Sequence, residues 1–475
     1  MATQDRRVRS PEELIVVTHS TETALTPIAL TENRGTESRL TDLLPAGASL
    51  VRIFGPANRL ASRIAETPHA DAGFGADYLN YFSVRGVTDE LAAVAERLRA
   101  DDAVNAAYVK PPAELPIAPS IAASTATDEA PATTPSFEQR QGYLDAAPQG
   151  IDARWAWTVP GGRGAGVRIV DVEGAWRFSH EDLRANQGGI IGGSPSSDQG
   201  WRDHGTAVAG VISGDVNEYG ITGIVPDALI RAVSVFEAGS AAAIRTAADA
   251  LSPGDVILLE LHRPGPRFNF TDKPDQAGYI AIEWWPDDFA AIRYATGKGI
   301  IVVEAGGNGG QDLDDAIYDT RPAEFPSTWR NPFRGGADDS GAIVVGAGSP
   351  PPGFHDADHG PARSRLDFSN FGSRVDTQGW GLEVTTTGYG DLQGGADEDL
   401  WYTDVFSGTS SASPIVVGAV ASYQGISAAA GGRKTPEEVR TRLRETGSPQ
   451  TDAQQRPSSQ RIGNLPDLRA LNGSS

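Results

Sequence analysis

The sequence has no cysteine among its 475 residues and only one methionine. That absence removes disulfides, thiolate metal sites and a cysteine nucleophile from consideration. Basic residues are scarce as well: 40 Lys and Arg stand against 62 Asp and Glu, a net charge of -22. A general affinity for nucleic acid or an anionic membrane is therefore not expected, and no local basic patch offsets the balance. No apolar run approaches the roughly 20 residues that a membrane-crossing helix needs. The opening MATQDRRVRSPEELIVVTHS has a four-residue apolar run at 14–17. A secretory leader needs roughly 7–15, so no signal peptide is read and a cytoplasmic location is the expectation. What is present, 39% hydrophobic and 21% charged residues, suits a globular chain with room for one large domain or two to three ordinary ones.

Composition breaks at residues 111–137, where Pro, Ala, Ser and Thr dominate and too little apolar surface is available to order the segment; it reads as a linker. Residues 1–110 before it combine strand-like alternation at 50–54 and 78–84 with a helical spacing of Leu91, Val94, Ala95 and Leu98 behind a Thr88 cap. A closing strand at 105–109 completes a small α+β module. Residues 138–475 alternate short apolar runs, at 167–172, 228–235, 256–261, 300–304 and 342–347, with helical patterns at 205–213, 240–251 and 289–298. Near-continuous apolar strands alternating with helices predict an α/β domain with a doubly wound, mostly parallel sheet. In such sheets ligands bind beyond the carboxyl ends of the strands, which directs attention to the polar residues there.

Three polar positions stand out. Asp171 follows the apolar run GVRIV, where a catalytic carboxylate or an ordinary charged strand end would fit. His204 lies in DHGTAVAGVISG among small residues that permit close backbone approach; Asp203 is a candidate helix cap, and His204 itself reads as base or as structural histidine. Ser410 lies in FSGTSSASPIVVGAVA, where Gly408 permits a tight turn and Pro414 suits a first helical turn. A hydroxyl there would sit at the positive end of a buried helix, or the Ser/Thr-rich turn would simply cap it.

Together VRIVDVEG, DHGTAVAGVISG and FSGTSSASPIVVGAVA resemble the three signatures of the subtilisin-like serine proteases, in that family's order of Asp, His and Ser. VVEAGGNGG adds Asn308 where the family has its oxyanion-hole asparagine, with Gly306 on the same loop as a substrate-binding position. The resemblance runs from about residue 136 to the C-terminus. It implies a serine endopeptidase acting on protein or peptide substrates without a cofactor. In that scheme Ser410 is the nucleophile, His204 the general base, Asp171 the group that orients the imidazole, and Asn308 an oxyanion donor beside the Ser410 N–H. It further implies that residues 1–110 are a propeptide-like module whose tail, AAYVKPPAELP, enters the cleft and inhibits the enzyme from within the same chain. A different class remains open, a catalytically weak or inactive binding protein on the same scaffold.

The sequence departs from the family at several points. Glu173 replaces a glycine; it stands as a second carboxylate beside His204, a contact for a basic substrate group, or a solvated surface acid. Ser411 replaces a common methionine, which makes the site less oxidisable. Glu260, Leu261 and His262 occupy the edge that pairs with substrate backbone, where the family usually has Ser-Leu-Gly. Aromatic loops at 264–285 and 311–331, with Tyr279, Trp284, Trp285, Phe325 and Trp329, flank the expected cleft as groove lining or as satellite core. His355 and His359 in GFHDADHG follow a Pro run that argues against a helix, so a metal site is not expected. The Asp-rich 312–319 stretch raises calcium without matching its loop motif.

Overall fold

The computed structural model describes residues 9–19, 27–56, 58–60, 63, 77–87, 89–117 and 131–473. Thr88 and residues 118–130 of the Pro/Ala-rich stretch lie outside them. The N-terminal module runs β1 (Glu13–Thr18), α1 (Pro27–Asp42), β2 (Ser49–Arg52), β3 (Tyr81–Arg85), α2 (Leu91–Arg99) and β4 (Val104–Lys110). Its antiparallel sheet has the order β2-β3-β1-β4. The helically spaced Leu91, Val94, Ala95 and Leu98 pack on Leu14, Val16, Phe82 and Ala107. The alternate strand residues, Ile15, Val17, Ala106 and Tyr108, point the other way into the core of the larger domain. Both faces of β1 are thus covered, which is why its apolar run is unbroken.

The larger domain is built on seven strands: β5 (Arg168–Glu173), β6 (Gln187–Gly192), β7 (Leu229–Ser234), β8 (Val256–Leu259), β11 (Ile301–Ala305), β12 (Ile343–Gly348) and β13 (Thr377–Trp380). Two hairpins lie outside that sheet: β9 (His262–Pro264) with β10 (Tyr279–Ala281), and β14 (Val384–Thr387) with β15 (Tyr402–Phe406). The sheet order is β13-β12-β11-β8-β5-β7-β6, and every neighbouring pair is parallel. Edge strands β6 and β13 carry no apolar run and escaped the sequence pattern.

Side chains alternate across the sheet with the period of two that strands impose. Ile169, Leu258, Val303 and Val345 face α3 (Gln199–Ser213) and α6 (Thr409–Ala429). Val170, Val172, Leu259 and Val302 face α4 (Ser240–Asp249) and α5 (Pro286–Gly297). The expected doubly wound arrangement is therefore present. Helix α3 starts earlier than the apolar pattern suggests because the Asp198 side chain accepts from Trp201 N at 3.2 Å; Asp203, expected as the cap, lies within the helix. Pro414 likewise falls inside α6, beyond its first turn.

The chain leaves β5 toward β7 and β6, then returns across β5 to build β8 and the strands beyond it. The carboxyl ends of β5 and β8 are thus the point where the winding reverses, the usual place for a site in an open parallel sheet.

Candidate active site

Asp171 and Glu173 end β5. Being two residues apart, they point to the same face as Ile169, toward α3 and α6. Both are fully buried, so Glu173 is not a surface acid. His204 Nδ1 lies 2.7 Å from Glu173 Oε2, whereas Asp171 Oδ2 accepts from Trp176 Nε1 at 2.7 Å. The expectation that Asp171 meets the imidazole is therefore corrected: replacement of a glycine by Glu173 places a longer carboxylate between them. The His204 ring is buried edge-on against Phe406, at 5.5 Å, and burial lowers its pKa to about 3. Burial also raises Asp171 far above the ordinary carboxylate range, helped by the charge of and a hydrogen bond to Glu173. Glu173 is raised by burial, with the hydrogen bond from Asp171 acting the other way. Helix α3 can come this close because Gly205 is bare: a Cβ there would lie 2.2 Å from the Ala175 carbonyl.

Ser410 is the second residue of α6, entered through Gly408 at φ +95°. Its Oγ and His204 Nε2 are both buried and without a hydrogen-bond partner among the described residues. The Asn308 carboxamide oxygen accepts from Thr409 N at 2.9 Å and from Thr409 Oγ1 at 3.0 Å, which turns Nδ2 toward Gln276 Oε1, 3.4 Å away. Glu260, one residue past β8, is buried on the same face, with Oε1 2.6 Å from Ser413 Oγ. Burial raises its pKa well above the usual range.

Into this site runs the end of the N-terminal module. Glu114 pairs antiparallel with His262, its N donating to His262 O at 3.1 Å and its O accepting from His262 N at 3.2 Å. Gln276 Nε2 donates to Leu115 O at 2.9 Å, and Tyr279 Oη lies 2.8 Å from Glu114 Oε1. Ser410 N then points to Pro116 O at 3.4 Å. A Cβ on Gly408 would sit 1.9 Å from that carbonyl and 3.0 Å from Asn308 Nδ2, so only a glycine fits here. Residues 111–117, part of the stretch read as linker, are thus described and docked, through an isolated bridge at Glu114 rather than a strand.

Of the expected substrate edge, only His262 pairs with this segment. The Glu260 side chain turns inward to Ser413, and Leu261 is buried in the α4/α5 core. Gly306 instead anchors its loop: its N donates to Val345 O and its O accepts from Asn370 Nδ2 at 2.7 Å. Gln276 was not singled out from the sequence; it lies in the aromatic loop with nothing local to mark it. Trp284, Phe325 and Trp329 pack together at 5.1–5.8 Å and are core rather than groove lining, with Phe325 also against Tyr108 of the module.

His355 and His359 both turn to Glu383, at 3.4 and 2.8 Å. Among the described residues no group of three or more His, Asp or Glu is arranged to hold a metal ion. Asp315 and Asp319 of the Asp-rich stretch pair with Arg267 and Arg334. No described helix is long and apolar enough to cross a membrane.

Comparison with known proteins gives the class of this architecture. The Subtilase family (Peptidase S8) profile matches residues 179–464, beginning beyond the β5 carboxylates. The chain belongs to the subtilase family, whose class is that of the subtilisin-like serine endopeptidases. It is 28% identical to thermitase of Thermoactinomyces vulgaris over 44% of this chain and 70% of thermitase. It is 29% identical to subtilisin BL of Lederbergia lenta over 37% of this chain and 57% of that protein. Among solved structures, fervidolysin from Fervidobacterium pennivorans, described as a keratinolytic enzyme related to subtilisin, shares the fold at TM-score 0.57 and 16% identity. That likeness covers 100% of this chain and 62% of fervidolysin.

Proposed function

We propose that this protein hydrolyses peptide bonds through an acyl-enzyme on Ser410 and is held inactive by its own N-terminal module. The observation that carries the reading is the Pro116 carbonyl beside Ser410 N, delivered there by the Glu114–His262 pairing. In this reading His204 Nε2 takes the Ser410 proton as Oγ bonds to the carbonyl carbon. The oxyanion is stabilised by Ser410 N–H and Asn308 Nδ2–H. The imidazolium then gives its proton to the departing amine as the C–N bond breaks. Water repeats the sequence on the ester, releasing the acid and restoring Ser410.

In this reading the docked tail sets the register of the first cut. With the Pro116 carbonyl in the oxyanion position, the bond presented is Pro116–Ile117, and the module stays in the cleft as a product-like inhibitor until displaced. Incubation of the full chain followed by intact-mass analysis tests this. A catalytic fragment beginning at Ile117 is expected from the natural sequence, and an uncut chain from Ser410→Ala. Cleavage that persists in Ser410→Ala would refute the nucleophile, and a fragment beginning elsewhere would refute the register.

A further inference from the structure

Three carboxyl groups, Asp171, Glu173 and Glu260, are fully buried on one face of β5 and β8 beside one imidazole. Glu260 N donates to Val172 O at 3.3 Å, so the parallel register carries on past the named strands and sets Glu260 next to Glu173. Three buried negative charges with no cation paired to them would be far more costly than pairs that share protons. The hydrogen bonds around each carboxyl group determine which oxygens carry the protons.

Glu173 Oε2 takes His204 Nδ1, and Asp171 Oδ2 takes Trp176 Nε1. The other oxygen of each, Glu173 Oε1 and Asp171 Oδ1, is buried with no donor among the described residues. A single proton between the two carboxyl groups satisfies both. Glu260 follows the same logic. Ser413 Oγ lies 2.6 Å from Glu260 Oε1 and 2.6 Å from the Thr409 carbonyl, and a hydroxyl has one proton to give. The carbonyl can only accept, so the hydroxyl donates there, and a neutral Glu260 donates to Ser413.

We propose that Glu173, not Asp171, is the carboxylate that orients His204, and that Asp171 is a protonated carboxyl group donating a hydrogen bond to Glu173. His204, Glu173 and Asp171 then form one chain, in which only Glu173 is charged, behind the imidazole that would serve Ser410. When His204 takes the serine proton, the imidazolium keeps its Nδ1–H on Glu173. The charge on Glu173 stabilises it while the Asp171 O–H holds Glu173 in place. Asp171 and Glu173 are positioning residues, since neither touches the scissile bond. This inference rests on the nucleophile reading above and deepens it.

The two carboxyl groups can be told apart by isosteric amides. An Asn at 171 keeps an N–H donor for Glu173 and mimics the protonated acid. A Gln at 173 removes the charge that His204 needs. On a peptide substrate Asp171→Asn is expected to keep kcat/KM within about tenfold. Glu173→Gln is expected to lose about 10³–10⁴ in kcat with KM little changed, the scale seen when the imidazole loses its orienting carboxylate. In the full-length Ser410→Ala chain, the strongly deshielded His204 Nδ1–H proton resonance should survive Asp171→Asn and vanish with Glu173→Gln. A loss above a hundredfold in Asp171→Asn, or a Glu173→Gln enzyme within tenfold of the natural one, overturns the assignment. Should Asp171→Asn fail to fold, the Glu173→Gln kinetics and resonance decide alone, and a resonance persisting in Glu173→Gln overturns the proposal. Failure of the nucleophile reading shows separately, as hydrolysis surviving Ser410→Ala.

Discussion

Asn308, proposed above as an oxyanion donor, has its carboxamide oxygen tied to Thr409, which fixes the direction of its Nδ2. A donor fixed in advance is what stabilises a developing oxyanion without reorganisation. Asn308→Ala should therefore lower kcat by about 10²–10³ while leaving KM nearly unchanged, as steady-state kinetics on a peptide substrate would read; a change confined to KM would speak against the role. At this scale the sequence was legible wherever function is tied to a local motif. Ser410 and Asn308 sit near Gly408 and Gly307 at the ends of elements and lie beside the docked tail, whereas His204 lies inside α3, where Gly205 lets the helix approach β5. Glu173 was not legible in the same way, because a carboxylate beside a glycine reads as surface unless the strand is known to be covered on that face. The period of two was visible in VRIVDVE; what was missing was the knowledge that α3 and α6 bury that face.

The elements that join the two parts of the molecule depend on a buried charge cluster. Lys110 at the end of β4 is fully buried, with Nζ 2.6 Å from Asp287, 3.0 Å from Asp288 and 3.3 Å from Glu13. Arg263 of β9 pairs with Glu13 and also reaches the Pro111 carbonyl. Asp287 and Asp288 lie in the first turn of α5, and Glu13 accepts from Ser240 N where α4 begins, so helix dipoles favour all three acids. Lys110→Met would leave buried acids without their cation, a loss of about 3–5 kcal/mol in docking. In the Ser410→Ala chain it should make β4 and the tail accessible to an added protease; unchanged protection would contradict the latch. Two cations face three acids here. Burial pushes Asp288 up to about 7, with Lys110 and Arg263 opposing it. The docked form therefore holds a proton that the released form gives up. Its contribution is present in full below the ordinary carboxylate range and is lost as pH rises through about 7. Protection of the tail should weaken from pH 6 to 8, and Asp288→Asn should flatten that dependence; tightening with rising pH would be contrary. None of this cluster was singled out in the sequence, since its members lie on four separate elements and none forms a motif.

Over the whole molecule the same sign recurs. Burial raises Asp182 and Asp203 to about 7 and Asp391 to about 6, besides the carboxyls of the site. Their folded-state values exceed the unfolded ones, so their stabilisation is present at acid pH and fades as pH rises through 6–7. His180 and His204, lowered by burial to about 4 and 3, act oppositely and lose stabilisation as pH falls from 6.5. The carboxyls outnumber the histidines, and the net charge of -22 adds repulsion at high pH. The Tm of the Ser410→Ala chain should therefore be higher at pH 5 than at pH 8, by calorimetry; a Tm that climbs toward pH 8 would contradict this balance. The doubly wound sheet was legible because its central strands are apolar runs covered on both sides. Its edges, β6 and β13, were not, because glycine and polar residues suffice where one neighbour is missing. The whole proposed cycle depends on Ser410 being a nucleophile that the module covers. Its most direct test is covalent labelling by a fluorophosphonate, read as the mass of the peptide containing Ser410 before and after the module is removed. An adduct is expected on that serine only after removal, and none in Ser410→Ala; an adduct of equal yield in both proteins would rule out Ser410 as the nucleophile.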